Sequence, residues 1–396
     1  MALYAQHGHG KSDKLTEAIG KGSLDGVIFA ARNEQPDNLR AAIAETRSLS
    51  KAITLLVDPQ FYVSTFVPPR DRYLPQYPYY KAGRVAADFV GAKRLQQYSK
   101  STLDFQVGLG VDRLISPSVY VGSFEDRWFQ IALNLADASL TYHAGLKKAP
   151  PLLLTFLIDE YAFASNQLVD DFLDQVTTWD VHGVYLIPTR TESTYSQRFE
   201  AVHFASLLYA AHVLGQINGF EIVAGYTDFC GLLLRSAGVK AFGSGWAQSA
   251  RRFDRSSFIQ RKGGGRPPRL RYASGPLLNS VLLSELEQIA DISELDSVLS
   301  GVPLDDEITK AGSPESSAWN QRLSELHHWQ TLAKLDAELT GEEGADVDKI
   351  AADIVSANAL YAMLQNSGVV FDRNTTGDHL AEWGEAVKLF RERAEL

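Results

Sequence analysis

"EIVAGYTDFCGLLLRSAGVKAFGSG" occupies residues 221–245. It opens with a short apolar run, EIVAGY (221–226), passes through an amphipathic stretch, DFCGLLLRSAG, and closes on a second run, VKAFGS (239–244). Neither run alternates polar with apolar residues, so each suits a strand buried on both faces, as strands of a parallel sheet are. A helix between two such strands makes a crossover unit.

The pattern extends upstream. Similar runs stand at ALYAQ (2–6), GVIFAA (26–31), AITLLVD (52–58), RLISPS (113–118), LLLTFLI (152–158) and GVYLIPT (183–189), with helical patterns between them. The helix after the fourth run opens SFEDRWFQ, where Ser123 and Asp126 predict a capping box. Eight strands with intervening helices over roughly 250 residues predict an α/β fold, a closed (β/α)8 barrel. A doubly wound open sheet uses the same units; the count and the length favour the barrel. The connection after the third run is much longer than the others. It begins PQFYVSTFVPPRDRYLPQYPYYKAGR (59–84), a Pro- and Tyr-rich loop leaving the C-terminal rim.

Beyond Tyr272 the runs give way to helical patterns with apolar stripes. The expected organisation is a barrel over 1–272, including a basic connector at 250–271, and an all-helical acidic region over 273–396. The connector holds eight Arg and Lys against one Asp, in a chain of net charge −10. Residues 272–396 hold 23 acids and 8 bases. A lone cysteine, Cys230, excludes an internal disulfide and a zinc site of several thiolates. No apolar stretch is long enough to span a membrane, and MALYAQHGHGKSDK lacks a signal-peptide pattern, so no membrane association and a cytoplasmic location are expected.

Barrel chemistry sits where strands end. Asp58, Asp159, Glu160 and Asp228 stand at such ends as candidate acid–base or nucleophilic carboxylates. As helix caps they would need no other role. Gly243, Ser244 and Gly245 form a small-residue turn opening a further helix, a candidate phosphate cradle. His7 and His9, two apart on the first strand, could share one divalent metal ion. The connector's Arg251, Arg252, Arg255, Arg261, Lys262, Arg266, Arg269 and Arg271, with Arg70 and Arg72 from the long loop, read as a nucleic-acid surface with interleaved aromatics. Pairing with the acidic tail is the competing reading.

Two local resemblances qualify this reading. His7-Gly8-His9 is similar to the opening motif of metal-dependent amidohydrolase barrels. That family would place further ligands at the ends of the fifth, sixth and eighth strands, where this chain has Asp159, Thr189 and Ser244. The segment 224–253 and Asp58-Pro59-Gln60-Phe61 resemble tRNA-guanine transglycosylase barrels, although Gly243 stands at the nucleophile's place and the zinc cysteines are missing. The resemblance implies a base-binding barrel and not that reaction.

The leading expectation is a barrel that binds a nucleotide, nucleic acid or phosphorylated small molecule and hydrolyses or transfers at a glycosidic or related bond. A catalytically silent subunit docking a protein partner through the helical C-terminal region is the alternative. A third reading takes AQHGHGKS as a phosphate loop, with Lys11, Asp159 and Glu160 serving an NTPase.

Overall fold

The computed structural model describes residues 2–10, 13–190, 197–260 and 269–396. Nine parallel strands form one sheet: β1 (Leu3–Gln6), β2 (Gly26–Ala30), β3 (Thr54–Asp58), β4 (Leu114–Ile115), β5 (Tyr120–Val121), β6 (Leu152–Asp159), β7 (Gly183–Thr189), β8 (Glu221–Ala224) and β9 (Ala241–Gly245). Their order is β3-β2-β1-β9-β8-β7-β6-β4, with β5 also pairing β6. β4 and β5 are two halves of one stave, interrupted around Pro117, which has no N–H to give a ladder. The seam between β3 and β4 is stitched by the Asp112 N–H to the Leu55 carbonyl at 2.9 Å and by the Leu55 N–H to Asp112 Oδ2 at 2.7 Å. The result is a nearly closed eight-stave barrel, and each stave falls on one of the apolar runs read from the sequence.

Helices α1 (Lys14–Gly20), α2 (Pro36–Leu49), α3 (Ala92–Val107), α4 (Arg127–Ala144), α5 (Asn166–Val176), α6 (Ala201–His212) and α7 (Cys230–Ser236) surround the barrel. The cap of α4 differs from the expected box. Asp126 is itself the cap, accepting from the Trp128 and Phe129 N–H groups, while Ser123 accepts from Glu125. Close approach between staves needs glycine at 183, where a Cβ would lie 1.9 Å from the Glu221 carbonyl oxygen.

The C-terminal region is not purely helical. An antiparallel hairpin of β10 (Arg271–Ser274) and β11 (Asn279–Leu282) straddles the expected boundary, burying Tyr272 and Val281. Helices α8 (Leu283–Asp291), α9 (Leu295–Val298), α10 (Asp306–Thr309), α11 (Gln321–Ala337), α12 (Glu343–Asn366) and α13 (His379–Ala394) follow. α11 packs outside β1 between α1 and α7, where a barrel's eighth helix belongs. Its Trp329 indole donates to the Ser244 carbonyl, and its Asp336 accepts from the Ala2 N–H and from Arg235. α13 lies on α6, with Glu382 paired to Arg198 just before α6 and Arg393 paired to Asp170 of α5. No helix among the described residues is long and apolar enough to cross a membrane.

Candidate functional site

β3 ends on Asp58, and the next turn places Gln60 in the left-handed region at φ 50°. Asp58 is fully buried inside the barrel. The Gln60 N–H donates to its Oδ1 at 2.9 Å. Hydroxyls of Tyr62, Tyr185 and Tyr226 donate to Oδ2 at 2.8, 3.4 and 3.5 Å. The Gln60 amide in turn donates to the Tyr226 hydroxyl at 2.8 Å, and the Gln60 carbonyl accepts from the Arg32 N–H. Burial pushes the Asp58 carboxyl up to about 6, against the pull of these four donors. Barrel interiors are usually layered with Val, Ile and Leu; here the layer nearest the mouth is a carboxylate under tyrosines.

Directly above lies a cavity of about 150 Å³. Gln60 and Tyr226 line it from below, and Arg32, Arg70, Arg72 and His7 line it from the rim. Among the described residues no Asp or Glu lines it. Among the described residues none of the three arginines pairs with a carboxylate. Burial, then the charges of Arg72 and Arg70, bring Arg32 down to about 10. Arg72 is likewise lowered, by burial and by Arg70. Of seven described non-glycine residues with positive φ, Gln60, Arg72 and Tyr226 all belong to this cavity. Backbone strain of that kind collects at functional sites.

The cavity's other wall is the segment after β9. Phe253 and Phe258 stack at 4.8 Å and 16°, and both rings meet Tyr62 edge-on. Phe253 also meets Tyr226 at 5.4 Å. This pair covers the barrel mouth and seals Asp58 from solvent. Arg32 fastens the cover: its Nε donates to the Arg70 carbonyl, its Nη2 to the Ser257 carbonyl at 2.8 Å, and its guanidinium lies 4.4 Å from the Phe258 ring.

The basic connector therefore divides. Arg251 is buried, donating to the Gly245 and Trp246 carbonyls, and burial lowers it to about 10. Arg252 is buried beside Asp254, and Arg271 donates to the Ser280 carbonyl. Arg269 pairs with Asp372 of the acidic tail at 2.9 Å. Arg255 alone of these is exposed without an ion pair, lying 4.7 Å over Tyr120 and 5.1 Å over Phe66. Arg261, Lys262 and Arg266 lie outside the described residues, as does Lys11.

The remaining candidates are dispersed. Asp159 accepts from the Tyr120 and Thr189 hydroxyls at 2.6 and 3.0 Å on the far side of the mouth, with buried Glu160 beside it. Asp228 sits against His328 of α11 at 3.6 Å, and burial raises its carboxyl. The turn at 243–245 needs correction. These residues belong to strand β9, and only a short 3-10 turn (Gln248–Ala250) follows, so no helix N-terminus faces an anion there. Gly243 faces inward toward Gln6 and Ile28, while the Ser244 hydroxyl meets His328 at 2.9 Å. His7 is buried against Phe29 and Trp246, with Nε2 3.4 Å from Glu34, whereas His9 is exposed. Among the described residues no group of three or more His, Cys, Asp or Glu is placed to hold a metal ion.

Arg32, Tyr62, Tyr185, Tyr226, Phe253 and Phe258 are not among the sequence-predicted site residues. Tyr185 had a usable signal, since it stands four residues before Thr189 on the same face of β7.

No family model and no curated protein matches this chain. Among solved structures it is similar to a glycoside hydrolase family 3 beta-N-acetylglucosaminidase from Paenibacillus sp., at 12% identity over 89% of this chain and 67% of that one, TM-score 0.38. It is also similar to an L-ribulose 3-epimerase, at 13% identity over 90% and 99% of the two chains, TM-score 0.34. A third is the carboxyl transferase domain of Rhizobium etli pyruvate carboxylase, at 11% identity over all of this chain and 61% of that one, TM-score 0.34. All three are enzymes, and likeness at this level transfers none of their reactions.

Proposed function

We propose that the barrel is an enzyme whose mouth binds the anionic group of a small phosphorylated, nucleotide-type ligand. The observation that carries this reading is the convergence of Arg32, Arg70 and Arg72 on one cavity that, among the described residues, no carboxylate lines. Like charges held together without a counter-charge destabilise the apo state, and a bound anion relieves that repulsion. At about 150 Å³ the cavity is below the ~300–1,000 Å³ of ordinary small-molecule sites, so it suits a head group whose remainder extends outward. The Tyr226 hydroxyl on its floor donates a hydrogen bond to Asp58, and burial and that carboxylate raise it well above the ordinary tyrosine range, so of the two it is Asp58 that exchanges a proton near neutral pH. Asp58 behind it is the acceptor, held by the Gln60 and tyrosine donors. Hydrolysis or transfer at a glycosidic or related bond is compatible with such an acid–base group.

Isothermal titration calorimetry with inorganic phosphate tests the binding step. Wild-type protein should bind, and the Arg70→Gln/Arg72→Gln double variant, altered only at exposed side chains, should bind at least about tenfold more weakly. Absence of binding, or binding that the variant leaves untouched, would refute the reading. The aromatic cover over Asp58 favours a second reading, a binding barrel without turnover. On that reading Asp58→Asn changes nothing but stability.

A further inference from the structure

Building on the anion reading, we infer that the group this cavity takes is a terminal phosphate, the dianion of a phosphomonoester received end-on, and not a diester inside a nucleic-acid chain. The first ground is charge. Three guanidiniums line the cavity, with no Asp or Glu beside them among the described lining residues. A diester brings one negative charge and leaves most of that repulsion in place; a monoester brings two.

The second ground is shape. The cavity of about 150 Å³ is bounded below by Gln60 and Tyr226, which rest on the sealed Asp58. On another side stand Ser249, Ala250, Ser257 and Phe258 of the segment after β9. An internal phosphodiester carries chain on both sides and needs an open groove. A terminal phosphate needs one entrance.

The third ground is how Arg32 is held. Its Nε and Nη2 are engaged by the Arg70 and Ser257 carbonyls at 2.7 and 2.8 Å, and its face rests on Phe258. The guanidinium is fixed in place, and its Nη1 makes no hydrogen bond among the described residues. A fixed guanidinium with donors to spare is preorganised for phosphate oxygens. The arginines come from the segments after β2 and β3, while Tyr226, Ser249, Ala250, Ser257 and Phe258 of the walls come from those after β8 and β9, so charge and walls are supplied by different halves of the barrel.

The test compares methyl phosphate with dimethyl phosphate by calorimetry at about pH 7.5, where the monoester is doubly ionised. It also compares a trinucleotide bearing a 5′-phosphate with the same trinucleotide ending in a 5′-hydroxyl. Methyl phosphate and the 5′-phosphorylated trinucleotide should each bind at least about tenfold more tightly than their partners. Both contrasts should collapse in Arg70→Gln/Arg72→Gln. Equal binding within each pair overturns the monoester assignment while the anion reading survives. If no phosphate binds at all, the anion reading fails and takes this inference with it.

Discussion

Replacing Asp58 with asparagine removes one charge from the barrel interior and alters almost nothing else in shape. In the folded protein burial holds this carboxyl at about 6, against an ordinary 3.8. That gap of about 2 units corresponds to about 3 kcal/mol of linkage between ionisation and folding. An acid whose folded pKa is raised binds its proton more tightly folded than unfolded. Its contribution is therefore fully present below the ordinary carboxylate range and is lost as pH rises through about 6. Wild-type protein should lose about 3 kcal/mol from this source between about pH 4 and pH 7. The asparagine side chain has no proton to lose, so the Asp58→Asn variant lacks this term.

Urea denaturation of both proteins at intervals across that range gives the difference in unfolding free energy at each pH. Asp228, also raised by burial, and the buried His327, His328 and His379, lowered by burial, add pH dependences of their own. They are common to both proteins and cancel in the difference. The variant should gain on the wild type by about 3 kcal/mol as pH rises through the window. Rearranged hydrogen bonds to Tyr62, Tyr185 and Tyr226 add a constant offset without a slope. A flat difference, or one of opposite sign, would refute the claim that an ionised carboxylate is held inside this barrel at a cost in stability.

Two further outcomes follow from the packing. Gly183→Ala puts a methyl group into the Glu221 backbone, forcing β7 and β8 apart, and should destabilise by more than ~3 kcal/mol or prevent folding; thermal denaturation reads this directly. Arg251→Ala strips donors from two buried carbonyls and should cost roughly 2–5 kcal/mol, whereas Arg255→Ala, at an exposed position, should stay within about 1 kcal/mol of wild type in urea unfolding. Equal costs at the two positions would contradict the division of the connector into buried and exposed halves.

The staves were legible in the sequence, because a segment apolar on both faces has only one favourable place, the interior of a parallel sheet. EIVAGY and LLLTFLI could be read alone for that reason. So could Asp58 as a strand-end acid, since polarity after an apolar run marks the barrel's mouth. Charge runs carry no such geometric constraint. Arg251 and Arg255 are four residues apart in one basic stretch, yet one is sunk among backbone carbonyls and the other lies over an aromatic ring in solvent. Local sequence cannot distinguish them: the acceptors of Arg251, the Gly245 and Trp246 carbonyls, lie only six and five residues upstream, and what decides is the burial of Arg251 in the fold. Ser244 was misread for a related reason: which side of β9 it faces depends on α11, which supplies His328 from more than eighty residues later.

Sequence by itself determined the repeating strand–helix units and the rim on which polar residues must stand, because period and hydrophobicity are local quantities. The count of eight only favoured closure over an open sheet made of the same units. Only the tertiary structure decided which rim residues meet. Barrel closure sets β1 against β9. That pairing brings Tyr226, Phe253 and Phe258 from late in the barrel over Asp58, Arg32, Arg70 and Arg72 from early in it. The meeting of three arginines at one cavity, with no carboxylate among its described lining residues, is a property of that convergence, and no stretch of the chain contains it.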